Sequence, residues 1–288
     1  MIRILLLLSA LLGAAAAPAQ PHAPLTAADI AARLHATGRV EIAGGQILIE
    51  RYDFSHDGAP VEAVVVRPAG AGPRPGLLLI PGHMRTAIDM LPASVRFARA
   101  GFATVAVSQP GYGGSAGPAD FAGPRTFAVL RDATERFARE PWVDAVHLGV
   151  YGYSRGALAA AELAARTDLF RAAVLGGGIY DFRAAYDQVR LAGIRENMAA
   201  EAGLGAAAVR FRSPIFDMAG LDGPVLIVHG ADDANAPPAQ ARALDARLTA
   251  LGRAHELLIL PGRDHGLPVA DIIGPATAFF TRNLMAQR

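Results

Sequence analysis

The 288 residues, 52% of them hydrophobic, suffice to bury a sizeable core in one large domain or two small ones. A net charge of +1 carries no signature of a nucleic-acid or anionic-surface partner. The absence of cysteine excludes disulfides, thiol nucleophiles, thiolate metal sites and a lipoprotein anchor, and the absence of lysine excludes a Ser-Lys dyad, a Schiff-base lysine and a P-loop.

The chain begins with a short basic start, Met1-Ile2-Arg3, followed by an apolar run from Ile4 to Leu12 that is too short to span a bilayer. Ala17-Pro18-Ala19 supplies small residues at the cleavage positions. Residues 1–19 are therefore expected to be a signal peptide cut before Gln20, which implies a secreted or periplasmic protein of bacterial type. No later segment is long and apolar enough to cross a membrane, so no integral membrane segment is expected in the mature form.

Residues 20–288 are expected to form a single domain. Leu25 to Thr37 reads as a small helix capped by Thr26 and ended by Gly38. Val40 to Phe54 and Val61 to Arg67 read as strands separated by a turn at Ser55-His56-Asp57-Gly58, an antiparallel edge. Strand and helix then alternate. Strands are expected at 76–80, 102–108, 146–151, 172–175, 225–228 and 256–260, with helices at 87–99, 125–140, 155–166, 238–251 and 274–285. Short apolar strands alternating with helices give an α/β fold, a mostly parallel sheet covered on both faces. Tyr180 to Asp222 interrupts the alternation as a helix-leaning insertion, a small cap over the strand ends where ligands bind in such sheets.

The chemistry concentrates at Gly152-Tyr153-Ser154-Arg155-Gly156. An apolar strand precedes it and an Ala-rich helix follows, the context of a nucleophile elbow. Residues two positions either side of the serine must have almost no side chain, and the helix behind Ser154 points its positive end at any oxyanion formed there. Gly113-Gly114-Ser115-Ala116-Gly117 matches the same five-residue pattern but runs into a segment with two prolines, which forbids an immediate helix. Ser115 is therefore a loop serine.

A serine nucleophile needs a base, and the base needs an orienting acid. An acidic loop, Ala231-Asp232-Asp233, follows one late strand, and His265 follows the last. Asp233 is the expected acid, with Asp232 and, more distantly, Asp181 as alternatives. His229 reads as a structural histidine at its strand end and His147 as the start of its strand; His22, His35, His56 and His255 show no chemical neighbours. No histidine pair has metal-ligand spacing backed by carboxylates, so neither a metal nor another cofactor is expected.

From Ser213-Pro214 to His265 the chain resembles the catalytic domain of the prolyl oligopeptidase family and its dienelactone-hydrolase-like relatives within the α/β-hydrolase superfamily. A His-Gly-x-x-Asp-x-x-x-Pro run matches His229, Gly230, Asp233 and Pro237, and Pro261-Gly262 precedes His265 as in their histidine loop. The resemblance extends from about Gly76 to the C-terminus. It implies an α/β-hydrolase fold with Asp233 as triad acid and His265 as base. No β-propeller stretch precedes the domain, and the cysteine nucleophile of dienelactone hydrolases is absent. Both departures favour a carboxylic ester over a peptide or a dienelactone.

The oxyanion hole should combine the backbone N–H of Arg155 with that of His83 in the loop Pro81-Gly82-His83-Met84, Met84 being the second choice. The side chains of His83, Arg85 and Arg155 either make one pocket wall cationic or turn to solvent and helix carboxylates. Tyr180, Phe182, Tyr186, Phe211 and Phe216 are the cap's candidates for substrate contact, or else its own core. The expected activity is ester hydrolysis of a small molecule through an acyl-enzyme. A serine peptidase on short peptides is the alternative, and a non-catalytic binding protein on the same fold is the alternative of another class.

Overall fold

The computed structural model describes residues 25–285, so the expected signal peptide at 1–19 lies outside the described residues. Helix α1 (Ala27–Thr37) starts at the expected cap, where the Thr26 hydroxyl accepts from the Asp29 N–H and the Asp29 carboxylate accepts in return, and it ends at Gly38 in the left-handed conformation. The single strand expected over 40–54 is instead a hairpin, β1 (Arg39–Ile42) and β2 (Ile47–Arg51). Three consecutive positive φ angles, at Ala43, Gly44 and Gly45, reverse the chain there. A second hairpin, β3 (Phe54–His56) and β4 (Ala59–Val61), turns at Asp57-Gly58, both with positive φ, and forms a separate two-stranded sheet.

The main sheet has nine strands in the order β1-β2-β5-β7-β6-β8-β9-β10-β11. Its added members are β5 (Ala63–Pro68), β6 (Arg74–Ile80), β7 (Ala103–Val107), β8 (Val143–Tyr153), β9 (Ala172–Gly176), β10 (Val225–Gly230) and β11 (His255–Leu260). From β7 to β11 every neighbouring pair is parallel, while β1, β2 and β5 form the antiparallel edge. The central strands are buried on both faces, which is why their sequences read as unbroken apolar runs.

Each face of the sheet carries its own core. On one face α1, α2 (Leu91–Arg99) and α9 (Val269–Phe280) pack through Leu34, Phe97 and Phe280; on the other α3 (Pro124–Ala138), α4 (Arg155–Arg166) and α8 (Ala239–Ala250) pack through Leu130, Leu158 and Leu244. The helix expected over 87–99 opens instead with a 3-10 turn at Ile88–Met90, and Pro92 sits in the first turn of α2, where its missing N–H costs nothing. Between β9 and β10 the cap folds as α5 (Phe182–Gln188), α6 (Ala192–Ala202) and α7 (Ala206–Phe211), followed by two 3-10 turns.

Helix α4 is buried from Arg155 to Ala165 because it runs under the cap, and this includes Glu162. Both Glu162 carboxyl oxygens are buried without a hydrogen-bond partner among the described residues. Burial pushes its pKa well above the ordinary glutamate value, against the opposing charges of Arg166 and Arg212. The unfolded chain ionises first, so this group's contribution to stability is present below about pH 4.5 and is lost as pH rises toward the higher folded-state value. Glu162→Gln, neutral throughout, should therefore gain Tm relative to wild type as pH rises above 4.5; a pH-independent gap in thermal melts would contradict a buried titrating carboxyl.

Candidate active site

The elbow sits where β8, beside the central strand β6, hands over to α4. Ser154 has φ 55° and ψ −122°, a conformation that L-residues avoid and that aims its side chain away from the sheet. The flanking glycines are a steric requirement. A Cβ on Gly152 would lie 2.1 Å from the Gly156 carbonyl oxygen, and one on Gly156 would lie 2.1 Å from the Ile80 carbonyl oxygen. The Ser154 N–H donates to the Gly176 carbonyl at 2.7 Å, fastening the turn to β9.

Three side chains from three loops then line up. Ser154 Oγ lies 2.9 Å from His265 Nε2, and His265 Nδ1 lies 2.7 Å from Asp233 Oδ2. The carboxylate is buried, and its Oδ1 accepts the N–H groups of Asn235 at 2.9 Å and Ala236 at 2.8 Å. Burial alone would raise the Asp233 pKa. Hydrogen bonds from His229 and His265, the His265 charge and the Ala236 N–H outweigh it and hold the carboxyl far below the ordinary aspartate value. An ionised Asp233 takes the Nδ1–H of His265 and leaves Nε2 free to accept the Ser154 proton.

The competing acids are placed elsewhere. Asp232 is exposed and its N–H bonds the Arg263 carbonyl at 2.9 Å, while Asp181 caps α5 by accepting the Ala184 N–H at 3.0 Å. Ser115 is buried, donating to the Ser108 carbonyl at 2.7 Å and accepting the Glu62 N–H at 3.0 Å. His229 is fully buried behind Asp233, with Nε2 2.7 Å from the Ala236 carbonyl oxygen and 3.3 Å from Asp233 Oδ2. His56 and His255, expected to stand alone, face Asp132 at 2.9 Å and Asp245 at 3.1 Å, partners 76 and 10 residues away, and His147 faces Asp144, three residues before it, at 2.9 Å.

His83 and Arg155, the residues expected to supply the oxyanion amides, line the same cavity as Ser154. Arg155 is the first residue of α4, so its N–H has no acceptor within the helix. The His83 N–H makes no hydrogen bond among the described residues, and the loop that carries it is fixed by Gln109 Nε2 donating to the Pro81 carbonyl at 2.7 Å. Met84, the second choice, has φ 56° and a largely exposed side chain.

Beside the serine opens a cavity of ≈ 730 Å³. Its walls are Phe121, Ile179 and Leu267 from the body and Val189, Leu191, Ile194 and Met198 from the cap. The five cap aromatics are not among the lining residues. Tyr180 and Phe182 are core, Phe182 edge-on to Phe121 at 5.6 Å; Tyr186 lies between Arg183 and Arg195; Phe211 packs on Phe127 and Arg166; Phe216 is exposed beside Arg210. The aliphatic residues after α5 and along α6 line the cavity instead. The wall is not cationic either. The Arg155 side chain, 2% exposed, pairs with Glu201 at 2.8 Å, and exposed Arg85 pairs with Asp89 at 3.3 Å.

Tyr153 was not singled out from sequence. Its hydroxyl donates to the His265 carbonyl and accepts the Leu267 N–H at 3.3 Å, pinning the histidine loop. Burial pushes its pKa up to about 12, so it stays a donor. The signal available was its place at the variable second position of the elbow pentapeptide.

A match to the prolyl oligopeptidase family spans residues 97–285 and takes in Ser154, Asp233 and His265. The chain belongs to the prolyl oligopeptidase family. Within it, the chain is similar to the uncharacterized peptidase YuxL of Bacillus subtilis (strain 168), 26% identical over 226 residues that cover 74% of this chain and 34% of that protein. Among solved structures, the acylaminoacyl peptidase of Pyrococcus horikoshii superposes with a TM-score of 0.73 at 20% identity, over 83% of this chain and 42% of that one. The acetyl xylan esterase of Paenibacillus sp. R4 superposes with a TM-score of 0.71 at 17% identity, over 85% of this chain and 87% of that one. These neighbours share the α/β-hydrolase fold seen here. The chain spans less than half the length of both peptidases.

Proposed function

We propose that this member of the prolyl oligopeptidase family is a serine hydrolase that cleaves carboxylic esters through an acyl-enzyme. The observation that carries it is the relay Ser154–His265–Asp233, at 2.9 and 2.7 Å, on a serine held at positive φ. Ser154 Oγ attacks the acyl carbonyl while its proton passes to His265 Nε2, and the charge formed on His265 is matched by Asp233. The carbonyl oxygen becomes an oxyanion facing the His83 and Arg155 N–H groups. His265 then gives its proton to the leaving alkoxide, and a water activated by the same imidazole releases the acid.

Two features favour an ester with an uncharged, apolar acyl group. Among the described residues lining the cavity there is no carboxylate to hold a peptide's ammonium terminus, and the arginines at its wall are already paired. The structural likeness to an acetyl xylan esterase over most of that enzyme's length points the same way. On nitrophenyl esters, kcat/KM should rise about fourfold per added methylene until the cavity fills, since each buried methylene contributes about 0.8 kcal/mol. The same protein should be far slower on aminoacyl nitroanilides. Faster anilide turnover would replace the ester with a short peptide as substrate.

We also propose export from the cytoplasm. The basic start, short apolar run and Ala17-Pro18-Ala19 support it, and mass spectrometry of periplasmic protein should find a mature N-terminus at Gln20. An intact Met1 terminus there would refute cleavage.

A further inference from the structure

The two residues expected to supply the oxyanion amides, His83 and Arg155, are 72 positions apart, yet their side chains meet in one polar cluster. Both are tied through it to α6 of the cap. Asn197 Nδ2 lies 2.5 Å from His83 Nε2, and His83 Nδ1 lies 3.3 Å from both the Tyr112 hydroxyl and Arg155 Nη1. Burial, then the nearby Arg155 charge, lowers the His83 pKa and keeps that ring neutral, against the pull of Glu201. Arg155 Nη1 donates to Glu201 Oε2 at 2.8 Å and to the Tyr112 oxygen at 2.9 Å, and the Tyr112 hydroxyl donates to Glu201 Oε1 at 2.9 Å. The guanidinium stacks over the Tyr112 ring at 4.3 Å.

Asn197 and Glu201 are one helical turn apart, so a single face of α6 grips both oxyanion residues. Met198 of that helix is buried in the core with Ile194 and Ala202 packed against it, and the polar cluster adds an attachment to the two residues beside Ser154. The Arg155 cation is itself buried. Without Glu201 it would be left unpaired and would move toward water, carrying the start of α4 with it.

We propose that Glu201 and Asn197 are positioning residues for the oxyanion hole: the cap holds the His83 and Arg155 amides at the spacing the tetrahedral oxyanion needs. The assignment presupposes the acyl-transfer function proposed above. Positioning of this kind acts on the transition state more than on the bound ester, so it shows in kcat and not in KM.

The test measures kcat, KM and Tm with nitrophenyl butyrate, and inhibition by a trifluoromethyl ketone. Addition of Ser154 Oγ to that ketone, with the serine proton passing to His265, places a hemiketal oxyanion in the hole. Glu201→Gln should lower kcat about tenfold or more with KM changed less than about twofold, and ketone affinity should fall in parallel with kcat. Asn197→Ala, which removes a neutral partner and leaves the ion pair, should act in the same direction and carries the test if Glu201→Gln does not fold. A folded variant with wild-type kcat and inhibitor affinity overturns the proposal, as does a rise in KM with kcat retained. A wild type without Ser154-dependent turnover defeats the acyl-transfer function itself; an active wild type with unaffected variants defeats only the positioning.

Discussion

Ser154→Ala should lower kcat by about a million-fold and abolish labelling by a fluorophosphonate, while the protein still folds. Alanine removes the only atom that forms the acyl bond and leaves the His265–Asp233 pair and the two oxyanion amides intact. What survives is the catalysis those amides give to direct attack by water, on the order of 10³-fold over solution. The control is Ser115, which matches the same pentapeptide. Its hydroxyl is occupied by the Ser108 carbonyl and the Glu62 N–H, so it stitches the 109–117 loop to the segment before β5. Ser115→Ala should cost about 1–3 kcal/mol of stability, because the buried Ser108 carbonyl and the part-buried Glu62 N–H lose their partner, and leave labelling intact. Labelling that persists in Ser154→Ala and vanishes in Ser115→Ala would reverse the assignment.

Asp233→Asn should cost about 10⁴-fold in kcat, whereas Asp232→Ala should stay within a few-fold of wild type. An asparagine can still accept the Asn235 and Ala236 N–H groups, so the loop keeps its shape. It can no longer compensate an imidazolium or enforce the Nδ1–H tautomer of His265. Asp232 is exposed. The pH dependence follows from the lowered pKa of Asp233. A depressed folded-state value means its contribution to stability is present above the ordinary aspartate pKa of 3.8 and is lost only as pH falls through the lower folded-state value. Above pH 3.8, protonation of Asp233 therefore should not limit the rate. Similar, mild losses in Asp233→Asn and Asp232→Ala, from kcat measured across pH, would contradict the relay.

The elbow was legible in sequence because its constraints are local. Gly152 and Gly156 are demanded by contacts with carbonyls brought close by the turn itself and by its adjacent strand, and the strand before and helix after are visible as apolar runs. The 113–117 match was separable because prolines forbid a helix behind it. Asp233 and His265 were legible because each follows a strand of the parallel run, β10 and β11, that ends at the same edge of the sheet, so chain order translates into proximity. The hairpin at Ala43–Gly45 carried a signal in Gly44-Gly45, but apolar residues on both sides read as one continuous strand across it.

The cap resisted the same treatment. Aromatic residues in an insertion are equally suited to a substrate wall and to a core, and here Phe182 and Tyr180 took the core. The residues that do face Ser154, Val189, Ile194, Met198 and Asn197, lie on or beside a helix with a single buried residue, so no apolar stripe announces which side turns inward. The pairing of Arg155 with Glu201, 46 residues apart, likewise depends on where α6 docks.

The sequence by itself determined the fold class and the three aligned side chains, because short-range sterics and the alternation of strand and helix specify them within each segment. Only the tertiary structure decided the cavity wall, the neutralised Arg155 and the grip of α6 on the oxyanion loop. Those depend on the rotation and docking of cap helices, which are set by long-range packing that no local pattern encodes.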